Sequence, residues 1–261
     1  MMMIAAVIPA KNEGETIAEV LEQLKRLPLD RIIAVLNGCT DDTLEVLARH
    51  PLRHRLDILQ YAEPLGIDVP RAVGALYARR LGARAVLFID GDMTGQLSGC
   101  CARLLAQIMN GYDLTLTNCY PYMGYRSCVA KQVLDQRERL NRVLGVFTQL
   151  GLATPSHGPH CVSRKLLETV DVKSLAVPPL MLAQAVEKGL RIKVAATLEA
   201  DRWASAQRGN RHNSLIAETI IGDCLAAEQY FCHQPMTRSD GQRCYLGYHR
   251  QRNLAILDGM Q

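Results

Sequence analysis

The sequence predicts an α/β protein in which a mostly parallel sheet is flanked by helices within one domain. Three observations carry that reading. Short, largely apolar runs at residues 4–9, 31–36 and 85–89, and a mixed one at 56–60, alternate with longer amphipathic stretches, a pattern of strands separated by helices. Strand, helix, strand, helix in succession implies parallel pairing through crossover connections. The strand ends near Pro9, Leu36 and Asp90 therefore share one edge, where open α/β sheets bind ligands.

The first run ends at Pro9, and the loop Ala10-Lys11-Asn12-Glu13-Gly14 leads into a helix over residues 15–27 with Leu21, Leu24 and Leu27 as its inner stripe. After the second run, Asn37-Gly38-Cys39-Thr40 forms a loop whose Thr40 is placed to cap a helix beginning at Asp41-Asp42. The third run is followed by a Pro- and Gly-containing loop, residues 63–71, and a helix through Leu81. The fourth ends in Asp90-Gly91-Asp92. A helix at 97–110, a strand at 113–117 and a long helix at 129–150 come next. Arg137, Glu138, Arg139 and Arg142 read as the solvated face of that long helix. Residues 154–160 form a breaker-rich loop. A short strand at 161–163, helices near Lys165 and at 180–188, and a strand at 191–195 complete the sheet. Residues 200–213 read as a polar loop, followed by a helix to about Cys232 and a weakly ordered tail.

At 261 residues, 48% hydrophobic and 21% charged, the chain has the composition of a soluble globular protein with room for one large core. A net charge of +4 demands no nucleic acid and suits anionic or phosphate-bearing substrates. Nine cysteines, an odd and scattered set without Cys-x-x-Cys, argue against a disulfide framework and for a reducing, cytoplasmic setting, with a membrane-peripheral one also compatible. No run reaches the ~18 apolar residues of a membrane span, and the N-terminus lacks the basic start and cleavage pattern of a signal peptide.

Asp90 and Asp92 are the strongest chemical signal. Two carboxylates one glycine apart at a buried strand end need a countercharge, because desolvated like charges cost several kcal/mol. A divalent cation with oxygen ligands, Mg²⁺ or Mn²⁺, would provide it; a turn or a helix cap is the plainer reading of Asp-Gly-Asp. His157-Gly158-Pro159-His160-Cys161 places two histidines beside a cysteine, without a fourth ligand at a zinc spacing. Arg208 and Arg211 suit a diphosphate or an anionic acceptor.

Residues 7–13, 35–43, Leu65-Gly66 with Arg71, and Phe88-Ile89-Asp90-Gly91-Asp92 resemble, in order and spacing, the motifs of family-2 glycosyltransferases of GT-A fold. The likeness spans residues 3–95 and continues more loosely to about 195. It implies residues 1–234 as the GT-A domain, with a nucleotide-binding half over 1–95 and an acceptor half over 96–234, and residues 235–261 as a tail. It implies a UDP- or GDP-sugar donor, its base and ribose framed by Pro9, Ala10, Glu13 and Asn37. Asp90, Gly91 and Arg71 would lie at the diphosphate, with Asp90 and Asp92 on Mg²⁺ or Mn²⁺. The acceptor would be a small molecule, a glycan or a lipid-linked hydroxyl, approaching His157 or His160.

Two departures bear on mechanism. Family members carry an acid in the second loop where this chain has Leu36-Asn37. Inverting members place an acid pair about a dozen residues before a helix-ending glycine, here Gly189, and that position is Val177-Pro178. An inverting enzyme would then take its general base from Asp171, Glu199 or Asp201; a retaining one needs none. The run Arg208-Gly209-Asn210-Arg211-His212-Asn213 resembles the region of glucosyl- and mannosyl-phosphoglycerate synthases that supplies a metal-binding histidine, which makes His212 a candidate ligand. The alternatives are a nucleotidyltransferase, whose Gly-rich basic loop is missing after the first strand, and a catalytically degenerate domain that binds a sugar nucleotide or a partner. A homo-oligomer docked through the tail is compatible with the sequence.

Overall fold

The computed structural model describes residues 3–121, 128–198, 203–204 and 209–260. The first half is strand and helix in alternation: β1 (Ile4–Ala10), α1 (Ile17–Leu24), β2 (Arg31–Asn37), α2 (Thr43–Arg49), β3 (Leu56–Tyr61), α3 (Val69–Arg80) and β4 (Ala85–Phe88). The second half adds β5 (Thr94–Gly95), α4 (Ser98–Met109), β6 (Leu114–Asn118), α5 (Cys128–Val143), α6 (Phe147–Leu150), β7 (His160–Ser163), α7 (Arg164–Thr169), α8 (Pro178–Glu187), β8 (Ile192–Thr197), β9 (Trp203–Ala204) and α9 (Asn210–Phe231).

Seven strands form one sheet in the order β3-β2-β1-β4-β7-β6-β8. β1 pairs in parallel with both β2 and β4, and β2 with β3, so the C-terminal ends of β1, β2 and β4 do share an edge. β7 runs antiparallel between β4 and β6, and β8 is parallel to β6. The sheet is thus mixed and mostly parallel.

Period-two alternation in buried strands places neighbouring residues on opposite faces. Ala5 and Val7 of β1 join one core layer with α3 and α8, while Ala6 and Ile8 join another with α1 and α4. Both faces are covered by helices, which explains why the inner strands β1, β2 and β4 read as nearly continuous apolar runs.

Three features differ from the sequence reading. The long helix breaks at Gly145, whose φ of +72° takes the chain out of the helix, so α5 and α6 are separate. Arg137 is buried, unlike the half-buried Glu138 and the exposed Arg139 and Arg142: it shares the inner face of α5 with Val133, Leu140 and Asn141, and its Nη1 donates to the Tyr120 hydroxyl at 3.1 Å. Residues 210–213, expected in a loop, are the first turn of α9.

The C-terminal residues are not loose. Leu257 is fully buried, Asn253 N donates to Leu65 O at 2.8 Å, and the backbone at Gln251 lies against Gly66. Gly66 has φ +90°, and a Cβ there would come 2.3 Å from Gln251 O, so this close approach requires glycine. Among the described residues no helix is long and apolar enough to cross a membrane.

Candidate active site

The loops after β1, β2 and β4 are tied together before any ligand is considered. Glu13 N donates to Thr43 Oγ1 at 2.8 Å, and Thr16 Oγ1 donates to Gly91 O at 2.8 Å. Gly91 N donates to Pro9 O at 3.2 Å, and a Cβ at Gly91 would sit 3.1 Å from Glu13 Cγ and 3.3 Å from that same carbonyl. The Asp-Gly-Asp turn is therefore pressed onto the first loop. Asn37 fixes a third segment: its Oδ1 accepts from Leu65 N at 2.6 Å and its Nδ2 donates to Gly66 O at 3.3 Å. Its side chain is spent on ordering the 65–66 loop.

These loops, the loop before β7 and the first turns of α9 enclose a cavity of about 330 Å³. Of the residues singled out in the sequence, Pro9, Ala10, Glu13, Asn37, Arg71, Asp90, Gly91, Asp92, His157 and His212 line it. Arg211 is exposed on α9 and does not, and Asp171 caps a short 3₁₀ turn by accepting from Lys173 N at 2.7 Å, outside the cavity. Glu199, Asp201 and Arg208 lie outside the described residues. Val177 and Pro178 are buried and apolar, so no carboxylate stands at the start of α8.

The countercharge to Asp90 is built into the protein. Arg71 Nη2 reaches Asp90 Oδ1 at 2.5 Å and Oδ2 at 2.6 Å, and its Nη1 reaches Asp68 Oδ1 at 2.5 Å. Burial opposes the Arg71 charge, but Asp90 and Asp68 outweigh it and push the guanidinium above its ordinary pKa. Arg71 is thus not a solvated helix residue: where it lines the cavity, its guanidinium is committed to the two acids. Asp68 continues inward: its Oδ2 accepts from Arg252 Nη2 at 2.9 Å, and Arg252 also pairs with Asp223, which Arg238 holds from the other side at 2.6 Å.

Asp68 and Asp223 line the cavity and were not singled out in the sequence. Asp223 left a trace there: it falls with Ala217, Thr219 and Ile221 on the buried side of a helix, where an acid requires a cation. Nothing in the sequence indicates that the cations come from the tail.

His157 lines the cavity and stacks on Tyr120 with ring centroids 5.3 Å apart. His160 does not line it. Its ring stacks on Phe88 at 4.7 Å inside the sheet, because β7 pairs with β4 in the register that opposes the two residues. Burial, with Arg71 nearby, pushes the His160 pKa down to about 3. A histidine whose folded pKa lies below its unfolded value of ~6.5 contributes stability that is present above that value and lost as pH falls toward 3. His160→Phe, which keeps a ring against Phe88, is therefore expected to lose less of its thermal midpoint between pH 7 and pH 5 than the natural protein.

A Mg²⁺ or Mn²⁺ ion fills most of its coordination shell with phosphate oxygens and water, and takes one or two side chains. Asp92 and His212 line the same cavity, and among the described residues no group of three acids, histidines or cysteines gathers around a point. That sparse set fits a cation that arrives with a diphosphate. Tyr248 engages His212 Nδ1 at 2.9 Å, so Nε2 is the nitrogen that a metal would use.

An Asp-Gly-Asp turn at the open edge of a mostly parallel sheet, facing a polar cavity, is the arrangement of the GT-A class of nucleotide-sugar transferases. Residues 5–169, more than half of the chain, match Glycosyl transferase family 2, and the chain belongs to that family. Among solved structures it is similar to glucosyl-3-phosphoglycerate synthase from Mycobacterium tuberculosis in complex with Mn²⁺, UDP and phosphoglyceric acid, at 18% identity and a TM-score of 0.66 over 90% of this chain and 80% of that one. The same enzyme with Mg²⁺ and UDP matches at 19% identity and a TM-score of 0.64 over 90% and 80%. At these identities the likeness establishes the GT-A fold. No curated protein sequence matches.

Proposed function

We propose that the chain moves a sugar from a nucleoside-diphosphate donor to a hydroxyl acceptor, with a divalent cation at Asp92. The observation that carries this is the convergence of the three strand-end loops and the first turn of α9 on one cavity containing Asp90, Asp92 and His212. The donor diphosphate lies over the Asp90-Gly91-Asp92 turn, and the base lies toward Pro9, Ala10 and Glu13. Asp92 and His212 would hold the cation, which would supply countercharge for the departing diphosphate. Asp90, locked by Arg71, orients the turn. The acceptor enters beside His157. Val177-Pro178 in place of an acid pair supports retention of anomeric configuration, which requires no base at that point.

Family membership and the UDP and Mn²⁺ or Mg²⁺ named for the structural neighbours favour this over nucleotidyl transfer. The phosphoglyceric acid named for the same neighbours makes an anionic hydroxy acid the first acceptor to test. The test is a thermal-shift panel of UDP- and GDP-sugars with and without Mn²⁺. Ligand at a hundredfold its Kd adds about 2.7 kcal/mol to stability. A midpoint rise that needs sugar nucleotide and metal together is expected; no rise with any pair leaves a degenerate domain.

A further inference from the structure

We propose that Arg252, near the C-terminus, is a positioning residue for the donor site, acting through Asp68 and Arg71 on Asp90. The inference rests on the reading of the cavity as that site. Arg252 is separated from Asp68 by more than 180 residues, yet its side chain is fully buried and its Nη2 lies 2.9 Å from Asp68 Oδ2. Its Nε donates to Ile67 O at 3.3 Å, and Asn253 N donates to Leu65 O at 2.8 Å. The C-terminal segment therefore grips the whole 65–68 loop, the segment that leads into α3 and carries Arg71 on its first turn.

The relay alternates in sign. Asp223 and Asp68 hold Arg252, Asp68 and Asp90 hold Arg71, and Arg238 closes the far end on Asp223. Three carboxylates thus meet three guanidinium groups. Because Asp68 has one oxygen on each arginine, moving Arg252 frees Asp68 to rotate and loosens the bidentate Arg71–Asp90 contact. A second thread runs the same way: Tyr248, four residues before Arg252, engages His212 on the opposite wall. The segment that composition marks as a tail is part of the site.

A merely structural Arg252 would change stability and leave the site of the folded protein intact. The two roles separate in a titration of the full chain with UDP in the presence of Mn²⁺, by calorimetry, with thermal melts of the ligand-free proteins alongside. Arg252→Gln and Asp68→Asn are each expected to weaken UDP binding at least tenfold, and the double variant to bind no more weakly than the worse single one, because both break one link. Asp68→Asn leaves the Arg252–Asp223 pair in place, so it keeps the test alive should Arg252→Gln fail to fold. Arg252→Lys, which keeps the charge but lacks a fork to span two carboxylates, is expected to bind at an intermediate level. Leu166→Ala, a truncation of a fully buried core residue outside the cavity and the relay, is expected to melt earlier while binding UDP within twofold of the natural protein. Folded Arg252→Gln that binds as tightly as the natural protein, or losses that multiply in the double variant, would overturn the proposal. Absence of UDP binding by the natural protein itself would instead remove the reading of the cavity, and the relay's purpose with it.

Discussion

Asp92→Asn is expected to lower sugar transfer by at least about a thousandfold, an effect on the order of 4 kcal/mol in the barrier, while moving the thermal midpoint by no more than a few degrees. The asymmetry follows from where the two acids sit. Asp92 lies in the turn after β4 and lines the cavity, so the substitution removes a charge from the wall that faces the donor and little from the core. Asp90 is also in that wall, but its carboxylate closes the bidentate contact with Arg71. Asp90→Asn is expected to lose both turnover and about 1.5–3 kcal/mol of stability, the range for hydrogen bonds to a charged group. Initial rates with Mn²⁺, read beside melts of the ligand-free variants, decide the matter. A folded Asp92→Asn protein with natural rates would remove the cation from that position.

The alternating strands and helices of residues 4–88 were legible because β1, β2 and β4 are buried on both faces, and their runs of apolar residues end where the sheet ends. The loops at Pro9, Asn37 and Asp90 were legible for the same reason: a parallel sheet puts every strand end on one edge, so the location of the motifs follows from their order. What was illegible is long-range charge pairing. The Asp90 carboxylate was expected to need a metal, and its countercharge is Arg71, nineteen residues earlier and one helix away. Arg137 was misplaced because its neighbours Glu138 and Arg139 are solvated, and a run of charges hides the one that the 3.6-residue period turns inward. His160 was drawn toward the cavity by its proximity to His157, but the β7–β4 register puts it against Phe88 instead. Tail residues such as Arg252 and Tyr248 sit in irregular backbone with no periodic signal, so their burial depends on partners that no local pattern names.

Asp223→Asn is expected to be the most destabilising single change in the relay, costing roughly 3–5 kcal/mol, because it leaves Arg252 and Arg238 buried with one shared countercharge removed. For a chain of this length that corresponds to a midpoint lowered by about 10 °C. The pH dependence should change with it. Burial pushes the Asp223 pKa up, but Arg252 and then Arg238 outweigh burial and hold it below the ordinary carboxylate value. A carboxyl with a depressed folded pKa supplies stability that is present above its unfolded value of ~3.9 and lost as pH falls through the folded one. The asparagine variant lacks that acid limb and should converge on the natural protein's midpoint below pH 4. His249 adds a second, higher limb. Burial, with Arg238 and Arg252 beside it, pushes its pKa down to about 4, and its Nδ1 sits 3.2 Å from Arg252 Nη1, which can only donate, so the nitrogen must be unprotonated to accept. Its stabilising share is complete above ~6.5 and fades as pH drops toward 4. Thermal melts from pH 8 to pH 3 should therefore show the natural protein declining in two stages, with the lower stage absent from Asp223→Asn; parallel curves for the two proteins would mean that the buried pair does not govern the acid limit of the fold.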